Sequence, residues 1–183
     1  MPENTKITRT KHRLSKALLH LLAEKPITAV SIRELCETAG INRTTFYNHY
    51  GSQYDLLNDI RSRFLDDVAE CLAAADPANS ESIQERVTTV FSYIKDNSEL
   101  SYLLLNNGID PEFAEQLFSL PKITDLLAAA LLNCHDPMRR QAVTDFAVHG
   151  SFRLLQNWIN SGCERSPAEE AELILELARR VCI

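Results

Sequence analysis

The chain has 183 residues, of which 45% are apolar, and this is enough for a substantial hydrophobic core. Its five cysteines are scattered without a CxxC pair, so neither a disulfide framework nor a zinc site is indicated. No apolar run approaches the roughly 18 residues of a membrane-spanning helix, and the N-terminus lacks the apolar region of a signal peptide. We therefore expect a cytoplasmic protein that does not enter a membrane.

Charge is distributed unevenly along the chain. The net charge of the whole is −6, but residues 1–50 carry +4 and the remainder carries −10. A basic N-terminal part on an acidic body predicts that the N-terminal part binds a polyanion such as nucleic acid. A chance distribution is the alternative interpretation.

Apolar spacing predicts helices from the start of the chain. The first helix presents one apolar face and ends at Lys25-Pro26. A second begins at Ser31, where Ser31 and Glu34 form a capping box, and ends at Gly40. Asn42 caps a short third helix. The apolar face of the first helix consists of Leu14, Ala17, Leu18, Leu21 and Leu22.

Helical patterns continue to the end of the chain. A fourth helix begins at Ser52, with Asp55 as its capping partner, and the segment DPANS at 76–80 ends it. Ser166, Pro167 and Glu169 together form a strong start signal for the last helix. The remaining helices are predicted near 81–95, 98–106, 111–119, 121–133, 137–161 and 167–182. These patterns amount to ten helical segments, and we expect an all-α fold of about nine helices.

The third helix has a polar outer face. On a helical wheel Phe46 and Tyr50 point inward, whereas Thr44 and Asn48 point directly outward. Asn can bond adenine with two hydrogen bonds and a Thr methyl can contact thymine, so this face suits the major groove of DNA. The positions on its two flanks, which suit phosphate contacts, are Thr45 and Tyr47.

These residues resemble a known family. The segment SIRELCETAGINRTTFYNHY at 31–50, followed by Ser52 and Leu56-Leu57, resembles the DNA-binding domain of TetR/AcrR-type repressors over about residues 8–60. The segment FRLLQNWINSGCERSPAEEAELI is similar to the last two helices of some members. The resemblance implies an all-helical homodimer on a palindromic operator. The resemblance also implies two domains in each chain: a helix-turn-helix domain at 1–51, and an effector-binding and dimerisation domain at 52–183.

The DNA-binding surface is predicted residue by residue. Gln53 stands where the family usually has Lys on a phosphate, so it keeps a donor but lacks the charge. Cys36 stands where the family has a small residue, and Cys is small enough. A plain helical hairpin in a bundle is the alternative for this segment. The predicted DNA contacts are Ser31, Arg43, Thr44, Thr45, Tyr47, Asn48, His49 and Gln53.

The helix at 137–161 has two apolar faces, and so does the last helix. A surface helix needs one such face, so two predict packing on both sides, and a partner chain is the simplest second side. A larger monomeric core is the alternative. The predicted dimer contacts are Phe152, Leu155, Trp158, Ile159, Leu173 and Leu177.

A polar stripe along the helix at 137–161 includes His149 and Arg153. It is either a solvated face or a set of polar handles in an effector pocket, since small-molecule sites are mostly apolar with a few polar groups. The predicted pocket residues are Phe64, Val68, Tyr93, Leu104, Phe113, Phe146, His149 and Arg153; Phe91 and Phe118 are further candidates for its wall.

No motif for catalysis or for a cofactor is found. Cys134-His135 lacks a second pair of metal ligands, and no phosphate loop, GxSxG or HExxH occurs. We expect a DNA-binding regulator, a repressor controlled by a small molecule, with neither enzymatic activity nor a cofactor or metal. The alternatives are the same DNA-binding part controlled by a protein partner, and a helical-bundle enzyme or binding protein whose N-terminal part is vestigial.

Overall fold

The computed structural model describes residues 2–73, 83–106, 113, 116–117, 120, 123 and 136–181. Over these residues the chain forms eight α-helices and no strand, which confirms the predicted all-α class. The chain divides into two compact units, Met1–Phe64 and Leu65–Ile183. None of the helices in the described part is both long and apolar enough to cross a membrane.

The N-terminal unit is built on four helices and a short turn. They are α1 (Pro2–Glu24), a 3-10 turn (Ile27–Ala29), α2 (Ile32–Ala39), α3 (Arg43–Tyr47) and α4 (Gln53–Ala73), of which α4 continues past the division between the units.

The core of this unit follows the predicted pattern. Every residue of the apolar face predicted for α1 is buried, and α1 packs on α2. From α2 the buried side chains are Leu35, Cys36 and Ala39, and from α3 it is Phe46. Burial of such faces is the main stabilising contribution to this unit, because α2 and α3, with eight and five residues, would be marginal in water as isolated helices.

The predicted capping of α2 is half realised. The Ser31 hydroxyl accepts a hydrogen bond from the Glu34 amide at 3.2 Å, as expected. The Glu34 carboxylate, however, pairs with the Lys25 ammonium instead of returning to the Ser31 amide. A charged partner gives the carboxylate a stronger hydrogen bond than a neutral amide does, so the reciprocal bond is not formed.

The C-terminal unit contains four further helices in its described part: α5 (Ile83–Asp96), α6 (Ser98–Asn106), α7 (Pro137–Asn160) and α8 (Pro167–Val181). α8 packs on α5 and α7, and α6 packs on the same two helices. Their bounds agree with the predicted ones to within two residues. The helices predicted near 111–119 and 121–133, together with Phe118 and Cys134-His135, lie wholly or mostly outside the described residues.

The turn between α7 and α8 adopts left-handed backbone at two residues. Gly162 has φ 74° and Cys163 has φ 56°, a conformation that a non-glycine residue rarely adopts. The Cys163 amide closes the end of α7 by donating to the Trp158 carbonyl at 2.9 Å. The Lys95 ammonium of α5 donates to the Cys163 carbonyl at 3.1 Å, so this turn is held from a second helix.

α8 begins with the capping box that the sequence predicts. The Glu169 amide donates to the Ser166 hydroxyl at 3.3 Å, and the Ser166 amide donates to the Glu169 carboxylate at 2.8 Å. Hydrogen bonding from Ser166 lowers the pKa of Glu169. The next residue, Glu170, is fully buried and accepts a hydrogen bond from the Arg165 guanidinium at 2.6 Å.

Candidate nucleic-acid interface and effector cavity

Helix α3 has one exposed polar face and one buried face. Arg43, Thr44 and Asn48 are exposed, and the Tyr47 side chain is 56% exposed. The Asn42 side chain caps the helix by accepting a hydrogen bond from the Thr45 amide at 2.7 Å. The exposed side chains therefore project from a helix whose first turn is fixed.

Aromatic side chains anchor the other side of α3, as the helical wheel predicts. Phe46 is fully buried and Tyr50 is nearly so. The Phe46 ring centroid lies 5.5 Å from that of Tyr47, edge to face, and 5.9 Å from that of Tyr50. Such aromatic pairs restrict one another's orientation. Phe46 and Tyr50 consequently anchor α3 and the segment after it to the core, and the polar face of α3 stays exposed.

The turn between α2 and α3 is fixed by α1. Gly40 adopts φ 61°, the left-handed conformation predicted for a residue that ends a helix. Its carbonyl accepts a hydrogen bond from the Arg13 guanidinium at 2.9 Å. A Cβ atom at residue 40 would lie 2.6 Å from the same guanidinium nitrogen. Glycine thus serves the turn through its conformation and through the room that it leaves for Arg13.

Asp59 of α4 is the centre of a polar cluster at the end of the helix-turn-helix. Its carboxylate accepts hydrogen bonds from the Tyr50 hydroxyl and the Arg63 guanidinium, and it lies 3.6 Å from the Lys11 ammonium. The Lys11 ammonium also lies 5.4 Å from the centroid of the Tyr50 ring, within the range of a cation–π contact. The cluster joins α1 and α4 to Tyr50, which lies three residues beyond the end of α3.

This cluster shifts the ionisation of its two acidic members. Partial burial alone would raise the pKa of Asp59. The hydrogen bond from Tyr50 and the positive charges of Arg63 and Lys11 outweigh that effect and lower the pKa. Burial, reinforced by the hydrogen bond to Asp59, raises the pKa of the Tyr50 phenol. At neutral pH the carboxylate is therefore charged and the phenol is protonated.

The remaining predicted DNA contacts lie at the edges of the helix-turn-helix. Ser31 is exposed at the start of α2, whereas Thr45, His49 and Gln53 are half-buried. The His49 ring centroid lies 6.4 Å from that of Tyr50. Gln53 is the first residue of α4. All eight predicted residues thus lie in the N-terminal unit within or beside α2 and α3.

The C-terminal unit contains an apolar cavity of about 130 Å³ that is partly open to its surroundings. α4 contributes Val68 and Leu72, α5 contributes Phe91, and α8 contributes Ile174. α7 contributes Leu155 and Ser151, and Ser151 is the only polar residue among the described lining residues. Phe91, one of the further candidates for the wall, lines the cavity. Val87, Val90 and Ile94 could have been found with it, because all four follow helical spacing on α5.

Of the eight predicted pocket residues, only Val68 lines this cavity. Leu104 and Phe113 are buried elsewhere in the C-terminal unit, and Phe64 is buried at the end of the N-terminal unit. The Tyr93 hydroxyl donates to the Asp67 carboxylate at 2.8 Å. The other three are exposed on α7 and do not line the cavity: Phe146, His149 and Arg153.

The predicted dimer contacts separate into two groups. Leu155, Trp158 and Ile159 are buried within the chain, and the Trp158 ring centroid lies 5.2 Å from that of Phe91. Phe152 and Leu173 are half-buried and Leu177 is 40% exposed. The largest exposed apolar side chain in the middle of α7 is Phe146, at 65%, which was predicted for the pocket instead.

Sequence reasoning missed the polar cluster around Asp59 and the contact from Arg13 to Gly40. Arg13 and Gly40 are 27 residues apart, and Lys11 and Asp59 are 48 apart. No local spacing signals a pair of that separation. Among the described residues, no group of three or more His, Cys, Asp or Glu side chains could hold a metal ion.

Two family models match the chain. Residues 14–60 match the family described as bacterial regulatory proteins, tetR family, and residues 81–180 match one described as a transcriptional regulator C-terminal region. A curated relative, the uncharacterized HTH-type transcriptional regulator YxbF of Bacillus subtilis (strain 168), is 20% identical over 181 residues. That alignment covers 97% of this chain and 45% of the relative, so the chain spans less than half of the relative's length.

Solved structures share the fold. A TetR transcriptional regulator from Streptococcus agalactiae 2603V matches with a TM-score of 0.71 at 19% identity, over 97% of this chain and 98% of that chain. The FadR of Thermus thermophilus, a TetR-family transcriptional repressor solved with lauroyl-CoA, matches with a TM-score of 0.55 at 20% identity, over 94% and 95%. As the resemblance of its helix-turn-helix predicts, the chain belongs to the TetR family of bacterial transcriptional regulators.

Proposed function

We propose that this TetR-family regulator is a repressor that binds a palindromic operator as a homodimer and is released by a small-molecule effector. Residues 1–51 serve as the DNA-binding domain, and residues 52–183 bind the effector and the second copy. The observation that carries the proposal is the exposed polar face of α3 over a fully buried aromatic anchor.

Two residues of the exposed face of α3, Thr44 and Asn48, recognise the bases. Asn48 bonds a base edge through its side-chain amide, and Thr44 contacts a base through its hydroxyl or methyl group. Both are exposed. Each good base contact of this kind contributes about 1–3 kcal/mol to discrimination between sequences.

Phosphate contacts surround the base-reading pair. Arg43 and Tyr47 are exposed and can donate to phosphate oxygens without reading sequence. The hydroxyls of Ser31 and Thr45, the His49 ring and the Gln53 amide complete this set at the edges of α2, α3 and α4. The positive charge of residues 1–50 favours approach to DNA, and the negative charge of the remainder favours an orientation with the N-terminal unit toward it.

A second copy of the chain supplies a second α3, which contacts the other half of the palindromic site. Two recognition helices on a two-fold dimer meet successive major grooves about 34 Å apart, which is why a palindromic site suits them. Phe146 on α7 and Leu177 on α8 are exposed apolar side chains on two helices that pack together. We assign them, with the half-buried Phe152 and Leu173, to the dimer surface.

The apolar cavity is the proposed effector site. It is lined by Val68 and Leu72 of α4, a helix that begins at Gln53 within the DNA-binding unit. An effector releases DNA only if it binds the DNA-free conformation better than the DNA-bound one. The lauroyl-CoA bound to FadR of Thermus thermophilus supports an effector in a protein of this fold.

Two measurements on the full chain test this function. Sedimentation at micromolar concentration should give the mass of a dimer. Selection from a random pool of DNA should yield a palindromic sequence, and the dimer should retard that DNA in a gel. Phe146→Asp should raise the monomer fraction, whereas Tyr102→Asp, which changes an exposed aromatic residue of α6, should not. A protein that selects no DNA sequence would contradict the proposed function; a monomer that binds DNA would contradict only its dimeric form.

A further inference from the structure

The cavity described above differs from an ordinary ligand pocket in its chemistry. Its described lining residues are aliphatic or aromatic except for Ser151. A buried charge needs an opposite charge or several hydrogen bonds, and a buried water needs two to four polar partners. One hydroxyl provides neither. The described wall therefore offers no charged partner to an ionised group and few hydrogen bonds to a cluster of ordered water.

Its size is that of a known class of apolar binding cavity. The volume of about 130 Å³ is close to the roughly 150 Å³ of an engineered dry cavity that binds benzene. The Val68, Phe91 and Ile94 side chains supply aliphatic and aromatic walls on two helices. A compact hydrocarbon group can fill this space and restore the contacts that an empty cavity lacks.

We propose that the effector enters the cavity as a neutral apolar group, and that the Ser151 hydroxyl is its one polar contact among the described lining residues. The group is a small uncharged molecule or the hydrocarbon tail of a larger one. Either can carry one hydroxyl or carbonyl oxygen at Ser151, and any charged part stays outside. This inference rests on the proposed function, in that it names the chemistry of the same effector site.

The charged side chains nearest in sequence do not alter this assignment. His149 and Arg153 flank Ser151 on α7, but both are exposed and neither lines the cavity. The Arg153 guanidinium donates to the Gln156 side chain at 3.3 Å. An anionic effector would thus gain no charged partner from the described lining residues.

Matched probes test the inference on the full chain. Toluene, benzyl alcohol and benzoate share a ring but differ in polarity and charge. At about 100 times its Kd, toluene should raise the Tm by about 5–10 °C, and benzoate at the same concentration should leave the Tm unchanged. Ser151→Ala should weaken benzyl alcohol several-fold and leave toluene unaffected. Stabilisation by benzoate equal to that by toluene would overturn the proposal.

A cavity-filling variant locates the bound group. Ala178→Leu adds bulk at the cavity wall, and Ala142→Leu adds the same bulk at an exposed position of α7. The first should abolish the rise in Tm with toluene, and the second should preserve it. If Ala178→Leu fails to fold, Val90→Ile is the milder filling variant and should weaken toluene at least several-fold. Unchanged toluene binding in the folded filling variant would overturn the assignment.

Two further probes identify the source of the apolar group. A rise in Tm with lauroyl-CoA but not with coenzyme A assigns the cavity to an acyl tail, and a rise with toluene alone assigns it to a free small molecule. No rise with any of these probes overturns the proposal. DNA selection in the absence of ligand distinguishes a failure of this inference from a failure of the proposed function. If DNA binds but no probe does, only this inference is wrong. If probes bind but no DNA does, the proposed function is wrong.

Discussion

The Tyr50 hydroxyl donates a hydrogen bond to the Asp59 carboxylate, and this contact ties the segment after α3 to α4. Asp59 also pairs with Arg63 on its own helix and approaches Lys11 on α1. A single carboxylate thus fixes the position of α3 relative to two other helices. Under the proposed function, the exposed face of α3 needs that position in order to read DNA.

Asp59→Asn should destabilise the protein at neutral pH but much less in acid. The lowered pKa of Asp59 means that its stabilising effect is present above the ordinary Asp pKa of about 3.9. It is lost as the pH falls through the lower pKa of the folded state. Because the site is partly exposed, we expect a loss of about 1 kcal/mol at pH 7.

Urea unfolding at pH 7 and in the acid range measures this difference. Asp66→Asn, which changes an exposed carboxylate on the same helix, is the matched control and should have little effect at either pH. A destabilisation by Asp59→Asn that stays constant down to the lowest pH would contradict the role of its charge.

Thr44→Ala and Asn48→Ala should remove sequence preference while the protein stays folded. Both side chains are exposed, so their truncation leaves the core intact. Each change should weaken the selected palindrome by about 1–3 kcal/mol per half-site and leave binding to unrelated DNA nearly unchanged. Fluorescence anisotropy with both DNAs measures this, and Asn157→Ala on α7 is the control. Equal weakening on both DNAs would indicate that these residues do not read bases.

Gln53→Lys should make DNA binding more sensitive to salt. A lysine that neutralises one phosphate releases counterions, which steepens the log–log salt slope by about 0.9 per contact. A dimer has two such positions, so the slope should steepen by about 1.8. Gln141→Lys adds the same charge to an exposed site on α7 and controls for net charge. If both variants give the wild-type slope, residue 53 does not face a phosphate.

Gly40→Ala should destabilise the N-terminal unit. The left-handed φ of 61° costs a residue with a Cβ about 1–2 kcal/mol, and the new atom would displace the Arg13 guanidinium from the Gly40 carbonyl. Gly150→Ala is the contrasting control. It lies within α7 with no atom near its added Cβ, so it should stabilise by about 0.5–1 kcal/mol. Chemical denaturation measures both, and effects of the same sign would contradict the assigned role of Gly40.

Local sequence signals predicted the elements of this fold well. The Asn42 cap, the left-handed Gly40 and the capping box of Ser166 and Glu169 all depend on residues within a few positions of one another. Their geometry is set by neighbours in the chain, so it can be deduced from spacing. The burial of Phe46 and Tyr50 follows from helical periodicity in the same way.

Sequence patterns were less informative about the C-terminal unit, and the reason is physical. Periodicity says that a helix has an apolar face but not which neighbour covers it. Phe146 and Trp158 lie on one helix and both are large and aromatic, yet one is 65% exposed and the other is buried against Phe91. That difference arises from the packing of α5, α7 and α8, which no local pattern specifies.

The contact between Arg13 and Gly40 determines the shortest segment that could be moved to another protein with its DNA-binding geometry intact. A graft of residues 31–50 onto another helical scaffold would carry Thr44 and Asn48 but would leave behind Arg13. The grafted turn would lose the guanidinium that bonds the Gly40 carbonyl. A graft that preserves the angle between α2 and α3 must therefore begin within α1, well before residue 31, where the helix-turn-helix pattern begins in the sequence.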